Sequence, residues 1–171
     1  MRALVVYESM FGNTQAVAEA IAAGVSSHMS VDIVEVSQAS PVVGSEVDLL
    51  VVGGPTHAFG MSRPKTRISA AEQATAGLVS TGIGLREWLE NFECSSTTVA
   101  AAFDTRVDKP RLPGTASHAA ERRLRRRGST IATRATSFLV EGMTGPLLAG
   151  EDDRARRWGE SLATTVVGQH V

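Results

Sequence analysis

The chain has 171 residues, 43% of them apolar and 20% charged, with a formal net charge of −1 and a single cysteine, Cys94. That is the length of one ordinary domain, residues 1–171, with enough chain for a full core, and the composition excludes disordered and fibrous classes. No apolar run approaches the ~18 residues of a membrane-spanning helix, and one cysteine excludes an intrachain disulfide, so a cytoplasmic location is expected.

The first element is a strand over residues 2–8. It reads as strand rather than signal peptide because no basic region precedes its apolar run. A short loop, Ser9-Met10-Phe11-Gly12-Asn13-Thr14, then opens a helix over residues 14–25, in which Val17, Ala20, Ile21 and Gly24 share one face at helical spacing. The loop and the first helical turn present backbone N–H groups that no helical carbonyl accepts, at the positive end of the helix dipole, which makes an anion site. Ser9 and Thr14 add hydroxyl donors, and Gly12 lets the main chain approach closely. No lysine follows the glycine, which excludes the NTPase phosphate loop, and one glycine is too few for the dinucleotide fingerprint. Hydroxyls without a cation suit a terminal phosphomonoester.

Residues 31–36 alternate like an edge strand with one wet face. Residues 37–45, polar and containing Pro41, leave room only for a short helix. Residues 48–53 form a continuous apolar run, the pattern of a central parallel strand. Gly53-Gly54-Pro55-Thr56-His57-Ala58-Phe59-Gly60 follows as a loop. Its glycines and proline preset the backbone, Thr56 and His57 offer hydrogen bonds, and Phe59 offers a flat apolar surface. Residues 61–82 are polar, with Arg63, Lys65 and Arg67 close together, and read as a basic flap beside that loop, suited to an anionic substrate or a partner. A helix over residues 85–92, a buried strand over 97–103 and a loop at Phe103-Asp104-Thr105-Arg106 come next. A helix over residues 115–127 stops at Gly128. A fifth strand over 131–140 and a helix over 152–167, with Asp152 and Asp153 at its favourable end, complete the order.

Strand and helix alternate throughout, which predicts an α/β three-layer sandwich: a five-stranded parallel sheet of order 2-1-3-4-5 between two layers of helices. Ligands of such sheets bind beyond the carboxyl ends of the strands, where the three unusual loops lie. In these residues the chain resembles the flavodoxin family. Ser9-Met10-Phe11-Gly12-Asn13-Thr14 fits that family's Ser/Thr-x-x-Gly-x-Thr phosphate loop, and the Pro55-Thr56 pair is similar to its first ring-binding loop. Phe103 to Arg106 stand at the position of its second ring-binding loop, and the likeness continues to Gly145-Pro146-Leu147. The resemblance implies FMN as cofactor. Its phosphate would lie on Ser9, Met10, Phe11, Gly12, Asn13 and Thr14. Its ring would lie on Pro55, Thr56, His57, Ala58, Phe59, Gly60, Phe103, Asp104, Thr105 and Arg106. It further implies electron transfer or a small flavin reductase activity, with a redox protein or an NAD(P)H- or quinone-type molecule as partner. No side chain is required as acid or base, although His57 stands where it could deliver a proton. The alternative is a flavodoxin-fold interaction module that binds FMN without turnover or has lost it; a homodimer is left open.

Two departures bear on which of these holds. Flavodoxins that carry electrons place a Trp and a Tyr against the flavin, whereas here Tyr7 lies in the first strand and Trp88 and Trp158 in helices. Their strongly acidic surface is also missing: residues 1–90 carry a net −4 and residues 91–171 a net +3. Both departures point to a small reductase or a specialised partner protein. A phosphorylated receiver domain shares the topology but needs clustered aspartates where this chain has Glu8-Ser9 and Gly53-Gly54. Arg122-Arg123-Leu124-Arg125-Arg126-Arg127 ends a helix, where cations complement the dipole; without a basic excess it does not argue for nucleic acid. His118 and His170 have no spaced partners, so no metal site is expected.

Overall fold

The structure, a computed structural model, describes residues 1–110 and 113–169; His170 lies outside the described residues. The elements run β1 (Arg2–Tyr7), α1 (Asn13–Val25), β2 (Ser30–Glu35), a 3-10 turn (Val36–Gln38), β3 (Val42–Val43), β4 (Leu49–His57), β5 (Gly60–Met61) and α2 (Pro64–Gln73). They continue as α3 (Leu85–Glu90), β6 (Glu93–Cys94), β7 (Val99–Val107), α4 (Ala116–Arg126), β8 (Thr130–Ile131), β9 (Thr136–Val140) and α5 (Glu151–Gln169). The parallel sheet has the order β2-β1-β4-β7, with β8 and β9 both paired to the outer side of β7. Counting the broken last strand once, this is the expected order 2-1-3-4-5.

Side-chain alternation divides the core in two. Val5, Val51, Ala101 and Phe103 face α1 and α5, where Val17, Ile21, Phe138, Leu162 and Val166 join them. Val6, Leu50, Val52, Ala100 and Ala102 face the other way, onto Leu85, Trp88, Phe92 and Leu124 of the α3 and α4 layer. Because both faces of β4 and β7 are covered, their first halves, Leu49–Val52 and Val99–Phe103, are apolar without interruption. Among the described residues, no helix is long and apolar enough to cross a membrane.

Four boundaries differ from the sequence expectation, each for a physical reason. The segment beginning at Gly53 is not a loop: β4 runs on to His57, and Gly53, Gly54 and Pro55 pair in register with Phe103, Asp104 and Thr105 of β7, which runs on to Val107. Gly53 is a packing requirement here, since a Cβ would fall 2.1 Å from the Phe103 ring. The fifth strand is interrupted between Ile131 and Thr136, so β8 and β9 hold opposite ends of β7. Residues 37–45 hold the end of a short 3-10 helix, as the room there allows, and then β3, which the polar composition did not announce. The basic segment forms α2, opened by Pro64.

Candidate functional site

The phosphate-type loop is built as the spacing requires. Gly12 caps α1 in the left-handed region, φ 91°, and a Cβ there would meet nothing within 4 Å, so the backbone angle rather than crowding demands glycine. Ser9 Oγ accepts from the N–H groups of Gly12 and Gln15, both at 3.2 Å. Asn13 and Thr14 open the helix, where N–H groups have no helical partner. Thr14 Oγ1 lies 2.7 Å from Thr105 Oγ1, which ties the loop to the end of β7. Behind the loop, Ser80 holds it from the back: Ser9 N donates to Ser80 Oγ at 3.0 Å, and Ser80 N donates to Ser9 O at 2.8 Å.

The loop opens onto a cavity of about 380 Å³ lined by Ser9, Met10, Phe11, Asn13, Thr14, Pro55, Thr56, His57, Ala58, Phe59, Thr105 and Arg106. Three segments distant in sequence therefore meet in one cavity. Four other candidate residues do not line it. Gly12 shapes the loop, Gly60 begins β5, and Phe103 is buried edge-to-face against Phe138 and Trp158. Asp104 turns away to α4, where its Oδ2 accepts the Ser117 N–H at 2.8 Å. Thr56 does similar work, accepting the Ala116 N–H at 2.9 Å, and Thr115 caps His118 at 3.3 Å. The ends of β4 and β7 thus also satisfy the first turn of α4.

One wall was hidden in the sequence. Thr66, Ser69, Ala70 and Gln73, all on α2, line the cavity, as do Val107, Pro110, Gly114, Val140 and Met143. Helical spacing of small and polar side chains was the available signal, but only Ala70 of α2 is buried, so no apolar stripe announces the helix. The α2 cations do not face the cavity. Arg67 reaches inward to Ser62 Oγ at 2.8 Å and Glu87 Oε1 at 2.9 Å. This ion pair belongs to a buried group centred on Glu8, whose carboxylate accepts from Ser62 Oγ and from Leu85 N at 2.7 Å. Burial holds the Glu8 carboxyl above the usual range, against the lowering by those bonds and by Arg67.

His57 occupies the rim between β4 and α2. Its Nδ1 lies 3.1 Å from Thr66 Oγ1. That hydroxyl also accepts the Arg63 N–H at 2.9 Å and donates to Arg63 O at 3.0 Å. Thr66 Oγ1 thus joins the His57 ring to the start of α2, and a neutral imidazole there keeps one ring nitrogen as an acceptor. Burial, and then the Arg67 charge, keep the imidazole below its ordinary pKa of 6.5, which favours its neutral form.

Beyond His57 the chain reverses in two residues, Ala58 and Phe59, both at positive φ (41° and 73°). Such a primed turn normally uses Asn and Gly, and non-glycine residues there cost on the order of 1 kcal/mol each. The turn holds Phe59 at the cavity mouth, 53% exposed. Trp88 and Trp158 are engaged elsewhere, Trp88 bonded to Ala39 O and Trp158 packed on Phe138.

The family model described as Flavodoxin matches residues 5–158. Among curated proteins no significant sequence match is found. Solved structures give the same fold at low identity. A flavodoxin from the domain Archaea is 21% identical, with a TM-score of 0.67 over 98% of this chain and 99% of its own. The Streptococcus pneumonia TIGR4 flavodoxin is 15% identical, with a TM-score of 0.68 over 96% and 99%. The Flv1 flavodiiron core from Synechocystis sp. PCC6803 is 17% identical, with a TM-score of 0.62 over 99% of this chain but 36% of its own. Those identities carry the fold alone, whereas the model match spans most of the chain: the protein belongs to the flavodoxin family, whose members bind FMN.

Proposed function

We propose that Ser9 to Thr14 hold the FMN phosphate, that the ring lies across the ends of β4 and β7, and that the protein is a small FMN-dependent reductase rather than a dedicated electron carrier. The residues present suit the cofactor. The N–H groups of Asn13 and Thr14 at the start of α1 and the Ser9 and Thr14 hydroxyls beside them suit a phosphomonoester, and a cavity of about 380 Å³ falls within the range of small-molecule sites. When bound, the flavin supplies the redox chemistry, exchanging electrons with an NAD(P)H- or quinone-type molecule. The chain's own contribution is placement. Phe59 offers an apolar face at the mouth, His57 in its neutral form offers an acceptor, and α2 offers a wall of small side chains instead of an aromatic clamp. That wall is the observation that carries the reductase reading, because it leaves the ring side of the cavity accessible to a small molecule. The lone cysteine is in keeping with a cytoplasmic setting.

Two measurements test this. Thr14→Val should weaken FMN about tenfold or more, the worth of one hydrogen bond to a charged group, and leave riboflavin nearly unchanged; equal losses would remove the phosphate assignment. Purified protein loaded with FMN should turn over NADPH or NADH with a quinone acceptor. Reduction only through a protein donor would return the carrier reading, and FMN binding without any turnover the interaction-module reading.

A further inference from the structure

Among the described residues, no Asp, Glu or Lys lines the cavity, and Arg106 is the one arginine that does. Arg106 has no ion pair among those residues, and its Nε is buried without a hydrogen-bond partner. Buried donors are almost always satisfied, and one left open at a cavity wall marks a place for an acceptor from a ligand. Of the carboxylates nearby, Glu8 is held by Ser62 and Leu85 and Glu87 by Arg67, while Asp104 accepts the Ser117 N–H at Oδ2 and leaves its Oδ1, like Arg106 Nε, buried without a hydrogen-bond partner.

Strand alternation says which part of a ligand Arg106 serves. Thr105 faces Thr14 and the phosphate loop. Arg106, the next residue of β7, takes the opposite face of the sheet. Thr56 and Asp104 point to that face, as their bonds to the start of α4 show. The guanidinium therefore sits on the far side of the strand from the phosphate loop, where the ring would lie.

Resting on the proposed FMN site, we propose that Arg106 makes this pocket select the reduced, anionic flavin ring over the oxidised neutral one. Reduction adds two electrons and one proton to the neutral ring and leaves it with one negative charge, supplied in the test by an electrode through a mediator dye. A fixed cation beside the ring stabilises that charge and does nothing comparable for the neutral ring. Binding and reduction are linked, so each tenfold preference for the reduced form raises the two-electron potential of bound FMN by 29.6 mV.

The experiment titrates protein free of flavin with FMN and with riboflavin, each oxidised and reduced, in the unaltered protein, Arg106→Gln and Arg106→Lys. The expected result is that Arg106→Gln weakens reduced FMN and reduced riboflavin about tenfold more than their oxidised forms, while Arg106→Lys, which keeps the charge, retains most of the preference. A matching fall of about 30 mV in the potential of bound FMN would agree with it. Equal weakening of both oxidation states would make Arg106 a packing residue and overturn the proposal. Loss confined to FMN, with riboflavin spared, would make it a phosphate contact and overturn it likewise. No change at all would mean that Asp104 neutralises it, and the proposal would fall on that result too. If the unaltered protein binds neither form of FMN, the site assignment itself fails, an outcome distinct from the other three.

Discussion

His57 and Glu8 show how the same burial acts with opposite sign on two side chains. Burial lowers the imidazole and raises the carboxyl, because in each case it disfavours the charged form. For His57 the folded value lies below the ordinary 6.5. Its contribution to stability is therefore whole above that pH and is lost as the pH falls from there through the lowered folded value. Glu8 runs the other way: its contribution is present below the ordinary 4.5 and is lost as the pH rises through its raised value. His57→Gln should flatten the acid-side decline in urea midpoint between pH 7 and pH 5; curves that stay parallel to those of the unaltered protein would show that His57 is not its source. At this scale the shape of the loop before α1 was legible because it is local, six consecutive residues at a helix start. The partners of Arg67 were not, since Ser62 and Glu87 reach it only once α2 and α3 have packed.

The elements were legible wherever burial imposes a period. Apolar runs disclosed β1, β4 and β7, spaced apolar positions disclosed α1, and the stop at Gly128 bounded α4. Composition ends β4 and β7 too early because Gly53-Gly54-Pro55 and Asp104-Thr105-Arg106 have turn-like or charged character, while the sheet register carries both strands past them. It hides α2 because a helix resting on a cavity has little to bury. Glycine can mislead in the same way inside a helix. A Cβ on Gly159 of α5 would lie 2.2 Å from the Ile21 carbonyl oxygen, and one on Gly24 of α1 would lie 1.9 Å from that of Arg156. The two helices touch backbone to backbone there, so helix propensity is sacrificed for proximity. Gly159→Ala should cost roughly 1–3 kcal/mol through overpacking, despite the better helix former, and lower the melting temperature by several degrees. Gly168→Ala, where a Cβ meets nothing within 4 Å, should cost nothing. Equal melting temperatures for the two variants would refute the close contact.

At the scale of the whole molecule, the alternation of strand and helix was enough to order the sheet, since right-handed crossovers leave few alternatives. The broken fifth strand was not read from the sequence: Thr133 and Arg134 interrupt its apolar character, but that the two halves separate shows only in their pairing with opposite ends of β7. What sits on the sheet is also uneven in charge, with the arginines of α4 supplying much of the positive half. The sheet brings the two ends of the described chain together, α1 lying against α5 over Val17, Ile21, Leu162 and Val166. A ribosome releases these helices far apart in time, at about 5–20 residues per second. Until α5 has left it, α1 has the sheet on one side but lacks the cover that α5 gives, so the loop at the head of α1 gains its finished support only once α5 has packed.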